Sequence, residues 1–321
     1  MVVGIPQLRA FVAVVDAGGF GAAADRLGIS QSAVSHAVAA LERATGRPVL
    51  TRHGRPALTR FGEQILDHAR TVLASVTAIG ALAEDGTGRP RGALTIAAPP
   101  TICHGLPPEL VLRWRAEFPE VAVSLFEGED DEVAGWLEGG TADLAVLIDP
   151  PAPPAGSALV GTDRFHAVLR AAHPLAAEPT VDVADLADDD FLLSSGGCER
   201  QIQELHRMAD TPFRPAHRIR QLSTLFAMIR SGVGVSVVPG LAAGMAGPDL
   251  VLVPLRQPLT RTLVLTGPLH RPWHPAARAL VEASLAVPPP LAGRLRRTPV
   301  PPGARRHPGI PEPARSTESL D

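Results

Sequence analysis

Hydrophobic residues near the start of the chain repeat at helical spacing. The first such segment, residues 6–17, carries its apolar side chains on one face: Leu8, Phe11, Val12 and Val15. Glycines end this helix at Gly18 and a second, short helix over residues 20–27 at Gly28. Ser30 is a good N-cap for a third helix, which turns Val34, Val38 and Leu41 inward and ends at Gly46. Three helices joined by glycine turns predict a helix-turn-helix unit.

The next stretch, VLTRHGRPALT at residues 49–59, has two short extended pieces around a turn and predicts a small β-wing. A long helical pattern follows from residue 59 to about residue 84. Its apolar positions alternate steps of four and three, which is the 3.5-residue repeat of a coiled-coil seam: Ile65, Ala69, Val72, Val76, Ile79 and Ala83. A second copy of the chain is the simplest partner for this seam, and packing on the helix's own domain is the alternative. Residues 86–90 break the helix and mark a linker.

Beyond residue 91, extended and helical segments alternate. Helical patterns are at residues 108–117, 131–137, 199–207 and 224–231. The candidate strands are ALTIAA (93–98), VAVSLF (121–126), DLAVLI (143–148), FHAVLR (165–170), HRIRQL (217–222), GVSVVP (234–239) and RTLVLT (261–266). This alternation predicts helices over a largely parallel sheet. Ligands of such sheets bind at the carboxyl ends of strands, against helix N-termini.

Composition narrows the class of protein. A chain of 321 residues with 45% hydrophobic residues has room for two or three domains. No apolar run approaches the length of a membrane span, and the first residues lack the basic start of a signal peptide. Two cysteines form no disulfide framework, so we expect a cytoplasmic protein without a membrane partner.

The charge of −3 is unevenly spread. Seven arginines against three acids give residues 1–60 a charge of +4, and residues 287–321 carry +3, so the stretch between them carries −10. A basic N-terminal segment followed by an acidic stretch indicates that the N-terminal segment binds a polyanion. The last 35 residues, rich in Pro, Arg and Gly, are predicted to be disordered.

Small polar side chains crowd the first two turns of the third helix: Gln31, Ser32, Ser35 and His36. In a helix-turn-helix this helix enters the major groove and its first turns meet base edges. Gln can pair with adenine, Ser with several bases, and His with guanine acceptors or phosphate. The pattern therefore predicts a surface that reads bases. The alternative is a core helix whose polar end has no binding role.

The motifs SQSAVSHAVAALE, GRPVLTR and LTRFG resemble the winged helix-turn-helix of LysR-type transcriptional regulators. The resemblance continues through GALTIAAPPT, FPEVAVSLFEG, DLAVLI, HPLA and IRSGVGVSVVP, and so covers roughly residues 5–285. It implies an α+β multidomain fold: an N-terminal winged helix-turn-helix, a long linker helix, and a two-subdomain α/β effector domain like a periplasmic binding protein. It also implies a homodimer or a dimer of dimers on double-stranded promoter DNA with dyad symmetry, a small-molecule effector as the sole ligand, and RNA polymerase as a further candidate partner.

The domain boundaries follow from these patterns. We expect a DNA-binding domain at 1–60, a linker and dimerisation helix at 61–86, an effector domain at 91–286 and a tail at 287–321. Within the effector domain, the first subdomain should comprise residues 91–161 and 266–286, and the second residues 162–265.

Some residues depart from the family's DNA-binding pattern. Gly19 and Gly21 stand where the family usually has Ser or Thr that contact phosphate. His36 occupies a position that is frequently Arg, which predicts a weaker and pH-sensitive contact. Resemblance to the family's wing makes three further residues candidate phosphate contacts: Arg52, His53 and Arg55.

The family's effector cleft guides the choice of ligand contacts. Six residues are candidates: Thr101, Asp130, Ser194, Cys198, Gln221 and Ser223. Thr101 follows the first strand, where the family often has a hydroxyl group on the effector, and a plain N-cap is the alternative. Asp130 replaces a common Ser or Thr. If its carboxylate faces the cleft, it repels anions and favours a neutral or cationic ligand, whereas the alternative is again an N-cap.

Other function classes receive less support. Cys103 and Cys198 could approach the cleft from opposite subdomains, but two cysteines without ligand spacing are usually inert, so no metal site is expected. No G-x-S-x-G, H-E-x-x-H, G-x-G-x-x-G or Walker motif is present, so we expect no enzyme. The alternative to a regulator is a solute-binding or redox-sensing module without sequence-specific DNA readout.

Overall fold

Four helices open the chain. The computed structural model describes residues 2–51, 55–83, 89–105 and 107–285, so the predicted tail at 287–321 and most of the predicted linker at 86–90 lie outside the described residues. The first helices are α1 (Ile5–Ala17), α2 (Phe20–Leu27), α3 (Gln31–Thr45) and α4 (Arg60–Ala83). The Ala33 N–H donates to Ser30 Oγ (3.2 Å), which confirms Ser30 as the N-cap of α3, and Gly46 ends the helix at a left-handed φ of 69°.

The first three helices share one small core with the start of α4. Phe11, Val34 and Leu41 are completely buried in it, as the helical spacing predicts. Leu66 and Ala69 of α4 complete this core. Two of the predicted seam positions, Ile65 and Ala69, therefore pack within the chain's own domain, because α4 starts against the helix-turn-helix before it projects away.

In its described part the predicted wing has an antiparallel bridge between Leu50 and Leu58, and its tip, residues 52–54, lies outside the described residues. The base of the wing lies very close to α4. A Cβ at Gly62 would lie 2.1 Å from the Val49 carbonyl oxygen, so only glycine permits this approach. This contact fixes the direction in which α4 leaves the domain.

Beyond Ala69, no residue of α4 is buried. Val72, Ile79 and Leu82 are 42%, 65% and 61% exposed. By length and composition alone, α4 is long and apolar enough to cross a membrane, so the expectation that no segment reaches this length is wrong for this helix. A coiled-coil seam has the same apolar composition, and the first turns of α4 are already committed to the helix-turn-helix core.

The remainder of the described chain alternates strands and helices. The strands are β1 (Gly92–Ala98), β2 (Val121–Glu127), β3 (Leu144–Ile148), β4 (Ala158–Arg170), β5 (Leu192–Ser194), β6 (His217–Ile219), β7 (Ser236–Pro239), β8 (Leu250–Pro254) and β9 (Thr260–Thr266). The helices are α5 (Pro100–Gly105), α6 (Pro107–Glu117), α7 (Asp130–Glu138), α8 (Glu199–Met208), α9 (Leu222–Arg230), α10 (Ala243–Ala246) and α11 (Pro275–Leu285).

The main sheet has the order β2-β1-β3-β9-β4-β7, and β8 also pairs with β4. Strand β1 is parallel to β2 and β3, whereas β3 with β9, and β4 with β7, β8 and β9, are antiparallel. The expectation of a largely parallel sheet is therefore wrong. The reason is that β4 and β9, here called the return strands, run side by side and antiparallel between the two halves of the domain.

The two largest hydrophobic cores among the described residues of this domain divide it into two lobes. The first lobe packs around Trp114, Leu144 and Leu280, and the second around Phe165 and Val237. Strand β4 contributes side chains to both cores and β9 pairs along it, so these two strands form the floor between the lobes. A cleft opens above this floor.

Candidate DNA-binding surface and ligand cleft

The first turns of α3 present their polar side chains to solvent. Gln31, Ser32, Ser35 and His36 are all exposed, whereas Val34 and Val38 on the opposite face are buried. Ser32 Oγ lies 2.9 Å from Ser30 Oγ, which ties it to the helix cap. The helix thus divides into a buried apolar face and an exposed face of hydrogen-bonding groups, as a major-groove reader requires.

The wing residues are only partly described. Arg55 is exposed, and its Nε–H donates to the Gly18 carbonyl oxygen at the end of α1 (3.4 Å). Arg52 and His53 lie outside the described residues. The assignment of these three residues as phosphate contacts stays a prediction.

The cleft between the lobes has a volume of about 280 Å³ and adjoins a more open groove of about 550 Å³. Five of the six predicted ligand contacts line the cleft: Thr101, Asp130, Cys198, Gln221 and Ser223. Ser194 does not line the cleft, because it is the buried last residue of β5, whereas its neighbour Ser195 reaches the adjoining groove. The alternation of side chains along a strand explains why adjacent serines face opposite sides.

An ion pair that the sequence analysis did not predict forms the floor of the cleft. Arg261 of β9 and Asp163 of β4 are opposite each other in the sheet, 1% and 0% exposed at their side chains. The Arg261 Nη2–H and Nε–H groups donate to Asp163 Oδ2 at 2.9 and 3.3 Å. The same Nη2 also donates to Thr101 Oγ1 (3.0 Å), and Nη1 lies 3.9 Å from Cys198 Sγ. Thr101 is therefore held by the floor, inside α5 rather than at its cap.

The Asp163 carboxylate also fixes the second lobe. It accepts hydrogen bonds from the backbone N–H groups of Arg164 (2.9 Å) and Leu241 (3.2 Å). One buried pair thus connects α5 of the first lobe, both return strands and the segment after β7.

Asp130 begins α7 at the mouth of the cleft. Its neighbour Glu129 occupies the N-cap position, so the interpretation of Asp130 as a plain N-cap is wrong. Burial raises the pKa of Asp130 to about 6, and the Arg261 charge opposes this rise. Gly197 of the second lobe, with a left-handed φ of 88°, lies so close that a Cβ there would be 2.8 Å from Asp130 Oδ1.

The two cysteine thiols have low nucleophilic reactivity. Burial raises the pKa of both Cys103 and Cys198 to about 11, so little thiolate is present near neutral pH. Cys198 lines the cleft, whereas Cys103 donates to the Ala98 carbonyl oxygen (3.4 Å). Within the described ranges, no group of three or more His, Cys, Asp or Glu residues could hold a metal ion.

A helix-turn-helix that exposes polar side chains, a long helix and a two-lobed domain with a buried-charge cleft together define a ligand-responsive DNA-binding protein. The family model described as "Bacterial regulatory helix-turn-helix protein, lysR family" matches residues 5–63, and "LysR substrate binding domain" matches residues 87–288. The chain belongs to the LysR family of DNA-binding transcriptional regulators.

Relatives and solved structures agree with this family. The uncharacterized HTH-type transcriptional regulator YvbU of Bacillus subtilis is 30% identical over 286 residues, which cover 88% of this chain and 94% of that protein. The transcriptional activator protein LysR of Escherichia coli is 28% identical over 287 residues, which cover 88% of this chain and 91% of that protein. The structure of a full-length OxyR variant from Pseudomonas aeruginosa is 25% identical and superposes with a TM-score of 0.70, covering 88% of this chain and 98% of that chain.

Proposed function

We propose that this regulator binds a promoter site of dyad symmetry as a dimer, or as a dimer of dimers, and that a small molecule in the cleft controls the complex. The exposed polar start of α3 opposite a fully buried face carries this proposal. A ligand-responsive regulator accounts for both the helix-turn-helix and the cleft, whereas a plain DNA-binding protein or a plain solute-binding protein accounts for only one of them. Like other members of the family, it acts in the cytoplasm and catalyses no reaction. RNA polymerase is a further candidate partner.

The proposed division of labour keeps the boundaries expected from the sequence. Residues 1–60 bind DNA, residues 61–86 pair two copies, and residues 91–286 bind the effector. A crystal structure of full-length CbnR with its target DNA superposes on this chain with a TM-score of 0.64, at 24% identity. This structural likeness supports the fold that the proposed division into domains requires.

A gel-shift titration with the intergenic DNA upstream of the regulator's own gene tests the proposal. We expect a specific complex whose affinity falls steeply as salt rises, because phosphate contacts release counterions. A sample that shifts this fragment no better than random DNA at low salt would contradict sequence-specific binding and would favour a plain solute-binding module.

Replacing Gln31 and His36 by Ala should lower preference for the cognate site more than general DNA affinity. Each lost base contact costs about 1–3 kcal/mol of discrimination, so the ratio of specific to random-DNA affinity should drop roughly tenfold or more. Competition gel shifts measure this ratio. Arg43→Ala, at the exposed far end of α3, is the matched control and should leave the ratio unchanged. Equal losses on cognate and random DNA for the double variant would count against base reading.

Redox sensing is a weaker alternative for this cleft. Two relatives from Mycobacterium avium and Mycobacterium leprae, each 31% identical, are named probable hydrogen peroxide-inducible genes activators. The buried, protonated Cys198 thiol argues against the same role here. In a rate assay with iodoacetamide at pH 7, Cys198 should react more slowly than free cysteine, and a faster reaction would support the redox function instead.

A further inference from the structure

Two of the three arginines around the cleft and its adjoining groove are already paired, and the third, Arg200, is exposed and lines only the outer groove. Arg261, on the floor, gives its N–H groups to Asp163, Thr101 and Cys198 and is 1% exposed. On the rim, Arg220 pairs with the carboxylates of Glu129 (3.3 Å) and Glu132 (3.6 Å). An anionic ligand in the cleft would therefore have to break an existing ion pair to reach the guanidinium of Arg261 or Arg220.

The negative groups are in excess. Among the described residues, three arginines and six carboxylates line the cleft and its adjoining groove, and the carboxylates are Glu127, Glu129, Asp130, Asp131, Asp149 and Glu199. Asp130 differs from Glu129 and Glu199, which have arginine partners. Across the described ranges, no group donates a hydrogen bond to the Asp130 carboxylate, although it is half-buried at the cleft wall.

Part of the cleft surface is apolar. Pro99, Pro100, Ile148, Leu222 and Met245 line it beside the acidic wall. A cavity of about 280 Å³ has room for a small organic molecule and not for a peptide. The site thus combines an unsatisfied carboxylate with an apolar surface for a compact hydrocarbon body.

We infer that the cleft binds a small organic cation, whose ammonium or amidinium group lies against Asp130 and whose apolar body lies between Pro99 and Leu222. This inference rests on the proposed effector function of the cleft. The bound cation would supply the hydrogen-bond donors that the Asp130 carboxylate lacks. Because Gly197 of the second lobe lies against the same carboxylate, the cation would lie between the two lobes and affect their separation.

Helix starts in the cleft favour the opposite ligand charge. The first turn of α9, at Leu222 and Ser223, brings backbone N–H groups and a partial positive charge to the wall. That partial charge is smaller than the full charge of the Asp130 carboxylate. The experiment therefore compares two ligands of the same shape and opposite charge.

Benzamidine and benzoate form this pair, because both are planar, similar in size and charged at neutral pH. With the full-length protein at pH 7.5, isothermal titration calorimetry should detect benzamidine binding and little or no benzoate binding. Preference for benzoate, or equal binding of both, would overturn the inference. Absence of benzamidine binding at ligand concentrations of several millimolar would overturn it as well.

Asp130→Asn should weaken benzamidine binding roughly tenfold or more, since a charge-assisted hydrogen bond is lost. Asp188→Asn, at an exposed carboxylate of the second lobe that lines neither the cleft nor the groove, is the matched control and should bind like the wild type. Circular dichroism and gel shifts on both variants check that each still folds and binds promoter DNA. If wild-type protein shifts its promoter but ignores benzamidine, the inference alone fails. If it does not shift promoter DNA at all, the proposed function fails.

The pH dependence gives a second readout. The charged groups acting on Asp130 are Glu129, Asp131, Asp149 and Arg261. Because the pKa of Asp130 is about 6, its charged fraction falls about tenfold between pH 7.5 and pH 5. Benzamidine keeps its charge over this range, so its affinity should fall by about the same factor. An affinity of the wild-type protein that is unchanged at pH 5 would contradict the role of Asp130.

Discussion

Asp163→Asn should lower the free energy of unfolding of the two-lobed domain by about 3–5 kcal/mol. The substitution leaves the Arg261 guanidinium charged, almost completely buried and without its counter-charge. It also weakens the acceptor of the Arg164 and Leu241 backbone N–H groups. Loss of this side chain therefore destabilises both lobes.

Tryptophan fluorescence during urea unfolding measures this effect selectively. The three tryptophans, Trp114, Trp136 and Trp273, all lie in the two-lobed domain. Their signal therefore reports the stability of this domain alone, whatever the helix-turn-helix does. The transition midpoint of Asp163→Asn should shift strongly to lower urea with the slope preserved.

Two further variants make the result specific. Arg256→Gln breaks an exposed pair with Asp185 (3.4 Å) and should cost at most about 1 kcal/mol. The double variant Asp163→Asn with Arg261→Met removes both buried charges and should recover part of the loss. A loss below about 1 kcal/mol in Asp163→Asn would show that the pair does not hold the domain together.

This ion pair also shows where sequence reasoning reached its limit. Local patterns predicted the helix-turn-helix closely, because buried faces repeat every 3.6 residues and Gly18, Gly28 and Gly46 end each helix with a left-handed residue. Asp163 and Arg261 are 98 positions apart, and nothing in either segment shows that the strands pair. The one available signal was the arginine that begins the apolar run RTLVLT, since a charge in a buried strand needs a partner.

Strand pairing and strand length were also difficult to predict from the sequence. Strands β5 and β8 were not predicted, and β4 begins seven residues before the predicted FHAVLR run. A three-residue strand such as β5 carries too few positions for a period to be recognised. The direction of pairing depends on the connections between strands, so the antiparallel arrangement of β4 and β9 could not be read from their residues. Five of the six cleft residues nevertheless line the cleft, because the family resemblance aligned those positions.

Glutamates at Val72 and Val76 should convert the protein into a monomer and abolish tight promoter binding. Both positions lie on the face of α4 that continues beyond the helix-turn-helix core, together with the exposed Ile79. In a paired seam each copy would bring two carboxylates into an apolar interface opposite two identical charges. Burying unpaired charge costs several kcal/mol for each group, more than a seam of this length can offset.

Light scattering coupled to gel filtration measures the mass, which should fall to that of the 33.6 kDa chain, while the wild type runs at twice this value or more. A monomer reaches one half-site of a dyad, so it loses the second set of phosphate and base contacts and its affinity should drop by at least about two orders of magnitude.

Thr77→Glu is the matched control, because Thr77 is exposed on the other side of α4 and the substitution adds the same charge outside the seam. This variant should remain a dimer with wild-type affinity. The fold of the double variant is checked by its circular dichroism, which reports the helices of both domains, including α4. An unchanged mass of the double variant would mean that two copies associate through another surface. The exposed apolar face of α4 would then need a different partner, and its membrane-like length and composition would have to be tested with lipid vesicles.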